Sequence, residues 1–115
     1  MLEKILQFKQ RKLPFNLANQ VDQGFTSPGF AAYILGQMGV APQGATLQSA
    51  IAGLPRTDRP ELGDLVLYRG GFAMFYLEDH MQHPFVIGMT PAGIAALQPD
   101  FGVPKEEIRR TGILR

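Results

Sequence analysis

Few residues of this chain carry groups that could act as a nucleophile or a base, and they lie far apart in the sequence. The chain has no cysteine and only two histidines, His80 and His83. Ser27 lies at the start of a segment with a helical pattern, which would be the positive end of the helix dipole. Acyl transfer needs a nucleophile, a base within about 3 Å of it, and a group that orients the base. Ser27 is therefore a candidate nucleophile without a base close to it in the sequence.

A second group of reactive side chains falls within six residues. Glu78, Asp79, His80 and His83 bring two carboxylates and two imidazoles together, and such groups can bind a divalent cation. Two histidines three residues apart in a turn have no particular ligand geometry, however, and no third ligand is indicated elsewhere. We therefore predict a solvated turn, with His80 and His83 as weak metal candidates only, and no cofactor.

The element that positions Ser27 is a helix with a defined start and end. Thr26 or Ser27 can cap its first turn, and Pro28 is suited to the first helical position. Gly39 can end the helix in a left-handed conformation. The apolar positions repeat with helical spacing and predict a face turned to the core: Phe30, Ile34, Leu35 and Met38.

The other elements follow from local patterns. An amphipathic helix is predicted within 1–12, and Thr46 can cap a short helix that Gly53 ends. Strands are predicted at 65–68, 72–77 and 84–89, and the second is apolar throughout, which is typical of a strand covered on both faces. Thr90 and Pro91 favour a capped helix over 90–97. The charged tail from Lys105 onward predicts an edge strand.

Composition limits the classes of protein. A chain of 115 residues with 45% hydrophobic residues is sufficient for one domain with a core, residues 1–115. A net charge of +1 argues against nucleic acid as a partner. No apolar run approaches the roughly 18 residues needed to cross a membrane, and no signal-peptide pattern follows the basic N-terminal residues. We therefore expect a cytoplasmic protein with no transmembrane segment.

Two short motifs carry a resemblance to a known family. Residues 24–30 read G-F-T-S-P-G-F, and residues 62–68 read L-G-D-L-V-L-Y. They resemble the G-F-D-C-S-G-F and L-x-P-G-D-L-V-F-F motifs of the NlpC-type cell-wall cysteine endopeptidases, a papain-like family. The resemblance covers roughly 14–89 and implies an α+β fold. In that fold a central N-terminal helix packs against a small antiparallel sheet.

The resemblance also implies where the catalytic groups would lie. The nucleophilic cysteine aligns with Ser27, the histidine base with Phe72 (or Gly71 in a shifted register), and the orienting polar residue with Ile87 or Gly88. His80, eight positions beyond Phe72, would lie up to roughly 26 Å from it along a straight strand. The family's catalytic groups are thus all absent from the aligned positions. The candidate cleft of such a fold consists of Thr26, Ser27, Tyr68, Phe72 and Ile87.

Three hypotheses of function follow. The first is a non-catalytic NlpC-like module that binds an unknown peptide or protein partner or serves as a structural part of an assembly. The second is a hydrolase of peptide or cell-wall substrates with Ser27 as its nucleophile. The third is a homo-oligomeric structural protein, which the edge strand and the apolar tail indicate. That tail comprises Ile108, Ile113 and Leu114.

Overall fold

Three helices precede five strands along the chain. A computed structural model describes residues 1–113, so Leu114 of the predicted apolar tail lies outside the described residues. The helices are α1 (Leu2–Gln10), α2 (Ser27–Gln37) and α3 (Leu47–Ile51). The strands are β1 (Leu65–Tyr68), β2 (Phe72–Glu78), β3 (Pro84–Thr90), β4 (Gly93–Leu97) and β5 (Lys105–Arg109). The predicted α+β class is confirmed.

Helix α2 has the predicted start and end. Thr26 is its N-cap, since the Thr26 hydroxyl accepts the N–H of Gly29 at 3.1 Å. Ser27 is already the first helical residue, so its own hydroxyl is free for another partner. Gly39 has φ of +76°, and the N–H of Val40 donates to the carbonyl of Leu35 at 3.0 Å, which closes the last turn.

The sheet is antiparallel throughout and has the strand order β4-β3-β2-β1-β5. The predicted C-terminal edge strand is confirmed as β5. All three helices pack on one face of the sheet, where α2 lies across β2 and β3. The segment 98–104 covers the opposite face, where Phe101 and Val103 pack against a second cluster that includes Val66, Tyr68 and Met74. Strand β2 is therefore covered on both faces, as predicted. Within residues 1–113, no helix has the length and apolarity to cross a membrane.

The predicted helix over 90–97 is wrong. Residues 91 and 92 form a two-residue turn between β3 and β4. The hydroxyl of Thr90 donates to the carbonyl of Gly93 at 2.8 Å and accepts the N–H of Ala92 at 3.2 Å. Gly93 has φ of +106°, which a right-handed helix does not allow. Pairing with β3 and burial of Ile94 therefore outweigh the local helix-start pattern.

Candidate functional site

The Ser27 hydroxyl joins the start of α2 to β2. Its oxygen accepts the N–H of Ala73 at 2.9 Å, and the hydroxyl lies 3.4 Å from the carbonyl of Ala73, to which it donates. Ser27 is only 5% exposed. A nucleophilic serine must pass its proton to a base, and within the described residues no imidazole hydrogen-bonds to this one. The two backbone groups of Ala73 thus occupy the hydroxyl.

The residue of β2 that meets Ser27 is Ala73, one position after Phe72. Successive side chains of a strand point to opposite faces, so a difference of one residue changes the face. Phe72 accordingly packs with the second cluster and makes an edge-to-face contact with Phe101, with ring centroids 6.0 Å apart. Ala73 is the smallest side chain in the run 72–77, and that could have indicated where the helix start approaches the strand.

The five predicted cleft residues do not all lie on one side of the sheet. Ile87 is 1% exposed and belongs to the core beneath the helices, on the same side as Ser27. Tyr68 lies on the opposite side with Phe72, and its hydroxyl donates to the carbonyl of Pro99 at 2.7 Å. Burial, with a smaller contribution from the charge of Asp100, raises the pKa of Tyr68 to about 12.

Gly88, the alternative orienting position, lies where β3 and β2 approach closely. A Cβ at this position would come within 2.8 Å of the carbonyl oxygen of Ala73 and within 2.9 Å of the Met74 sulfur. The backbone of β2 therefore fills the space that a polar side chain would need. Neither Ile87 nor Gly88 supplies a group that could orient an imidazole.

The two histidines lie in the turn between β2 and β3, at the other end of β2 from Ala73. Five residues at about 3.3 Å each separate Ala73 from Glu78 by roughly 17 Å. The Asp79 carboxylate accepts the N–H groups of Met81 at 2.8 Å and His83 at 2.9 Å. The bond from the His83 N–H is the main cause of the lowered pKa of Asp79. Asp79 thus organises this turn.

Potential metal ligands are scattered over the fold. Across residues 1–113, no group of three or more histidine, cysteine, aspartate or glutamate side chains could hold a metal ion. The imidazole Nδ1 of His83 lies 3.6 Å from the Asp79 carboxylate, and both side chains are exposed. The turn therefore presents one imidazole–carboxylate pair to solvent.

A groove runs along both sides of the start of α2. On one side, a cavity of about 390 Å3 lies between α2 and the loop before α3. On the other, a cavity of about 420 Å3 lies between α3 and the ends of β1 and β2. Both cavities are lined by Pro28, Thr46 and Leu47, and we call the two together the α2 groove. Tyr33 is among the residues that line the first cavity, and Leu67 and Phe72 are among those that line the second.

Asn19 holds the start of α2 in place, a role that its position in a polar loop did not indicate. Its side-chain oxygen accepts the N–H of Thr26 at 2.9 Å and the Thr26 hydroxyl at 3.0 Å. A Cβ at Gly29 would come within 1.9 Å of this oxygen. Gly29 is therefore the residue that lets the Asn19 side chain reach the helix start. Asn19 also lines the first cavity of the α2 groove.

The Gly63–Asp64 turn has a structural role. The Asp64 carboxylate is buried and accepts the N–H of Glu61 at 2.8 Å and the N–H of Thr111 at 3.2 Å. The guanidinium of Arg110 donates to it at 3.2 Å. Asp64 thus connects the loop before β1 to the chain after β5.

Comparison with known proteins identifies no family. No protein-family model, no curated protein and no solved structure matches this chain. The geometry of the α2 groove and of Ser27 is therefore the basis for the functional proposal.

Proposed function

We propose that this chain is a non-catalytic NlpC-like domain whose α2 groove binds a peptide or an extended protein segment. The resemblance of residues 24–30 and 62–68 to the family motifs supports the proposal. So does the packing of a helix near the N-terminus across β2 and β3 of an antiparallel sheet. Ser27 takes the place of the family's cysteine at the start of that helix.

The main support for a non-catalytic domain in this proposal is the pair of contacts between Ser27 and Ala73. Attack on a carbonyl would require the hydroxyl to leave the N–H at 2.9 Å and to transfer its proton to a base. The backbone N–H would then be buried without a partner, which costs about 1–3 kcal/mol. Ala73 itself offers no side chain that could take the proton.

The chemistry of the α2 groove favours an apolar or basic peptide. Tyr33 and Phe72, both partly exposed, provide apolar surface in the two cavities, and Leu47 lines both. Glu106 is the only charged residue that lines either cavity within residues 1–113. An acidic peptide would bring like charge to Glu106, whereas a neutral or basic one would not.

Binding can be tested by titrating the isotope-labelled protein with a capped, uncharged peptide rich in apolar residues and recording amide chemical shifts. We expect the shifts to centre on Thr46 and Leu47. The variant Leu47→Glu places a charge in the middle of the groove and should weaken binding at least tenfold.

Met81→Glu is the matched control for this titration. Met81 is an exposed apolar residue in the turn at the far end of β2, so its replacement should leave the affinity unchanged. Equal affinity of Leu47→Glu and the unmodified protein would contradict the proposal, as would shifts that centre away from the groove.

A further inference from the structure

The two edges of the sheet differ in how they are covered. The outer side of β5 pairs with the chain's own segment 55–57. The N–H of Thr57 donates to the carbonyl of Ile108 at 3.0 Å, and the N–H of Arg110 donates to the carbonyl of Pro55 at 2.8 Å. The guanidinium of Arg109 bonds the carbonyl of Leu54 at 2.6 Å and anchors the start of this segment. The edge at β5 is therefore closed to another strand.

The edge at β4 is open. Within residues 1–113, β4 pairs with β3 alone. Natural edge strands often use charged residues or proline to prevent further pairing. The sequence of β4, G-I-A-A-L, contains neither. In this part of the chain, no backbone hydrogen bond outside the sheet involves residues 94–97. An extended segment could therefore add to this edge.

The turn between β3 and β4 determines which backbone groups face outward. In a two-residue hairpin the flanking pair, Thr90 and Gly93, is hydrogen-bonded, and the following pairs alternate. Ile94 and Ala96, opposite Met89 and Ile87, then belong to pairs without hydrogen bonds. Their N–H and C=O groups point away from β3, toward the open edge.

A cationic cavity adjoins the start of β4. It has a volume of about 420 Å3 and lies between the end of α1 and the β3–β4 turn. Lys9 and Lys12 line it together with apolar residues that include Phe15 and Ile94. These lysines are its only charged lining residues, and neither has an ion-pair partner in the part of the chain that the structure describes. The cavity thus favours an anionic group.

We propose that β4 binds an extended acidic segment of a protein partner as a sixth strand of the sheet. The backbone of the segment pairs with Ile94 and Ala96, and an acidic side chain enters the cavity beside Lys9 and Lys12. Antiparallel pairing, the more stable arrangement, places this acidic residue at the C-terminal end of the segment. The site is independent of the α2 groove, which is lined by Glu106 and not by lysine.

Charge favours such a partner over a second copy of this chain. A two-fold pairing of β4 with β4 would supply no acidic side chain from the strand, because β4 contains none. In this antiparallel arrangement the two lysine cavities would lie at opposite ends of the paired strands, so neither pair of lysines would gain a carboxylate from the other β4. An acidic segment instead provides carboxylates for the lysines and a backbone that pairs with the edge of β4.

The probe for this site is a fluorescent, C-terminally amidated peptide of sequence TVTVTED. We expect it to bind, and we expect TVTVTKK to bind at least tenfold more weakly. A form of TVTVTED methylated on every backbone nitrogen of the strand should not bind, because neither of its edges can then donate to the strand ladder. Hydrogen exchange of the Ile94 and Ala96 amides should slow at least tenfold with the peptide, while that of the inward-facing Ala95 should stay unchanged.

Protein variants separate the two parts of the site. Lys9→Glu combined with Lys12→Glu should weaken TVTVTED binding at least tenfold, whereas Lys4→Glu, on the same helix as Lys9 but outside the cavity, should not. Ala96→Pro removes an outward N–H and should also weaken binding. Leu47→Glu, in the α2 groove, should bind TVTVTED normally, so the two proposals can fail separately.

The proposal is overturned if TVTVTED does not bind or if the methylated peptide binds equally well. It is also overturned if the double lysine variant keeps full affinity. A dimer in light scattering that Ala96→Pro dissociates, without peptide binding, would show self-pairing at this edge instead. The peptide comparisons use the unmodified protein, so they decide the matter even if Ala96→Pro does not fold.

Discussion

The hydroxyl of Ser27 contributes to stability through its contacts with Ala73. It satisfies the buried N–H of Ala73 at 2.9 Å, at a point where a helix start meets the middle of a sheet. A buried backbone donor without a partner is costly, so the serine has a structural role that requires no catalysis.

Replacement of Ser27 by alanine should destabilise the fold. Ser27→Ala leaves the Ala73 N–H buried without a partner and should lower the free energy of unfolding by about 1–3 kcal/mol. Urea unfolding followed by circular dichroism measures this change. Ser49→Ala, at an exposed position in α3, is the control and should change stability by less than about 0.5 kcal/mol. An equal effect of the two substitutions would contradict the role assigned to Ser27.

Tyr68 makes stability depend on pH in alkaline solution. Its pKa is about 12 in the folded protein and about 10 in an unfolded chain, so the unfolded state loses the proton first. The resulting contribution to stability is fully present below pH 10 and is lost as the pH rises from 10 to 12.

The measurement is the melting temperature between pH 9 and pH 12. It should fall more steeply in the unmodified protein than in Tyr68→Phe, which has no phenol to ionise. Tyr68→Phe should be less stable at pH 9, because the carbonyl of Pro99 loses its hydrogen bond. Parallel melting curves for the two proteins over this pH range would contradict the raised pKa.

At the scale of elements, the sequence predicts the helices and strands whose ends are marked by capping or turn residues. Helix α2 has Thr26 before it and Gly39 after it, and the structure has both the cap and the positive φ. Strand β1 follows the Gly63–Asp64 turn with the predicted bounds. These signals act over a few residues, so they can be recognised without knowledge of the tertiary contacts.

The β3–β4 hairpin could not be predicted in the same way. Thr90 and Pro91 are a typical helix start, and the following apolar residues fit a helix as well as a strand. What decides the strand is the backbone of β3, which pairs with residues 93–97, together with the burial of Ile94. Such long-range pairing is not visible in a local pattern.

The candidate site shows a related limit. The sequence identifies Ser27 and the strand that approaches it, but the alignment with the family's motif selects Phe72 where the structure has Ala73. Which of two adjacent strand residues faces a helix depends on the register of the whole sheet. The loop before α3, which lines the α2 groove through Thr46 and Leu47, has no chemical motif that would mark it.

For the whole molecule, one face of the sheet carries the helices and the other is covered by the segment 98–104. Our account places partners at two surfaces: the α2 groove beside the helices and the open edge at β4. They differ in charge: the α2 groove is lined by Glu106, and the cavity at β4 is lined by Lys9 and Lys12. Our account assigns binding to both surfaces and catalysis to neither.

The most direct test of this account is incubation of the unmodified protein and Ser27→Ala with cell-wall peptide fragments and with an activated ester. Product release is measured over a long time course with buffer alone as the control. We predict that neither substrate is turned over above the buffer rate by either protein. Turnover by the unmodified protein that Ser27→Ala abolishes, while remaining folded, would contradict the central claim and identify Ser27 as a nucleophile.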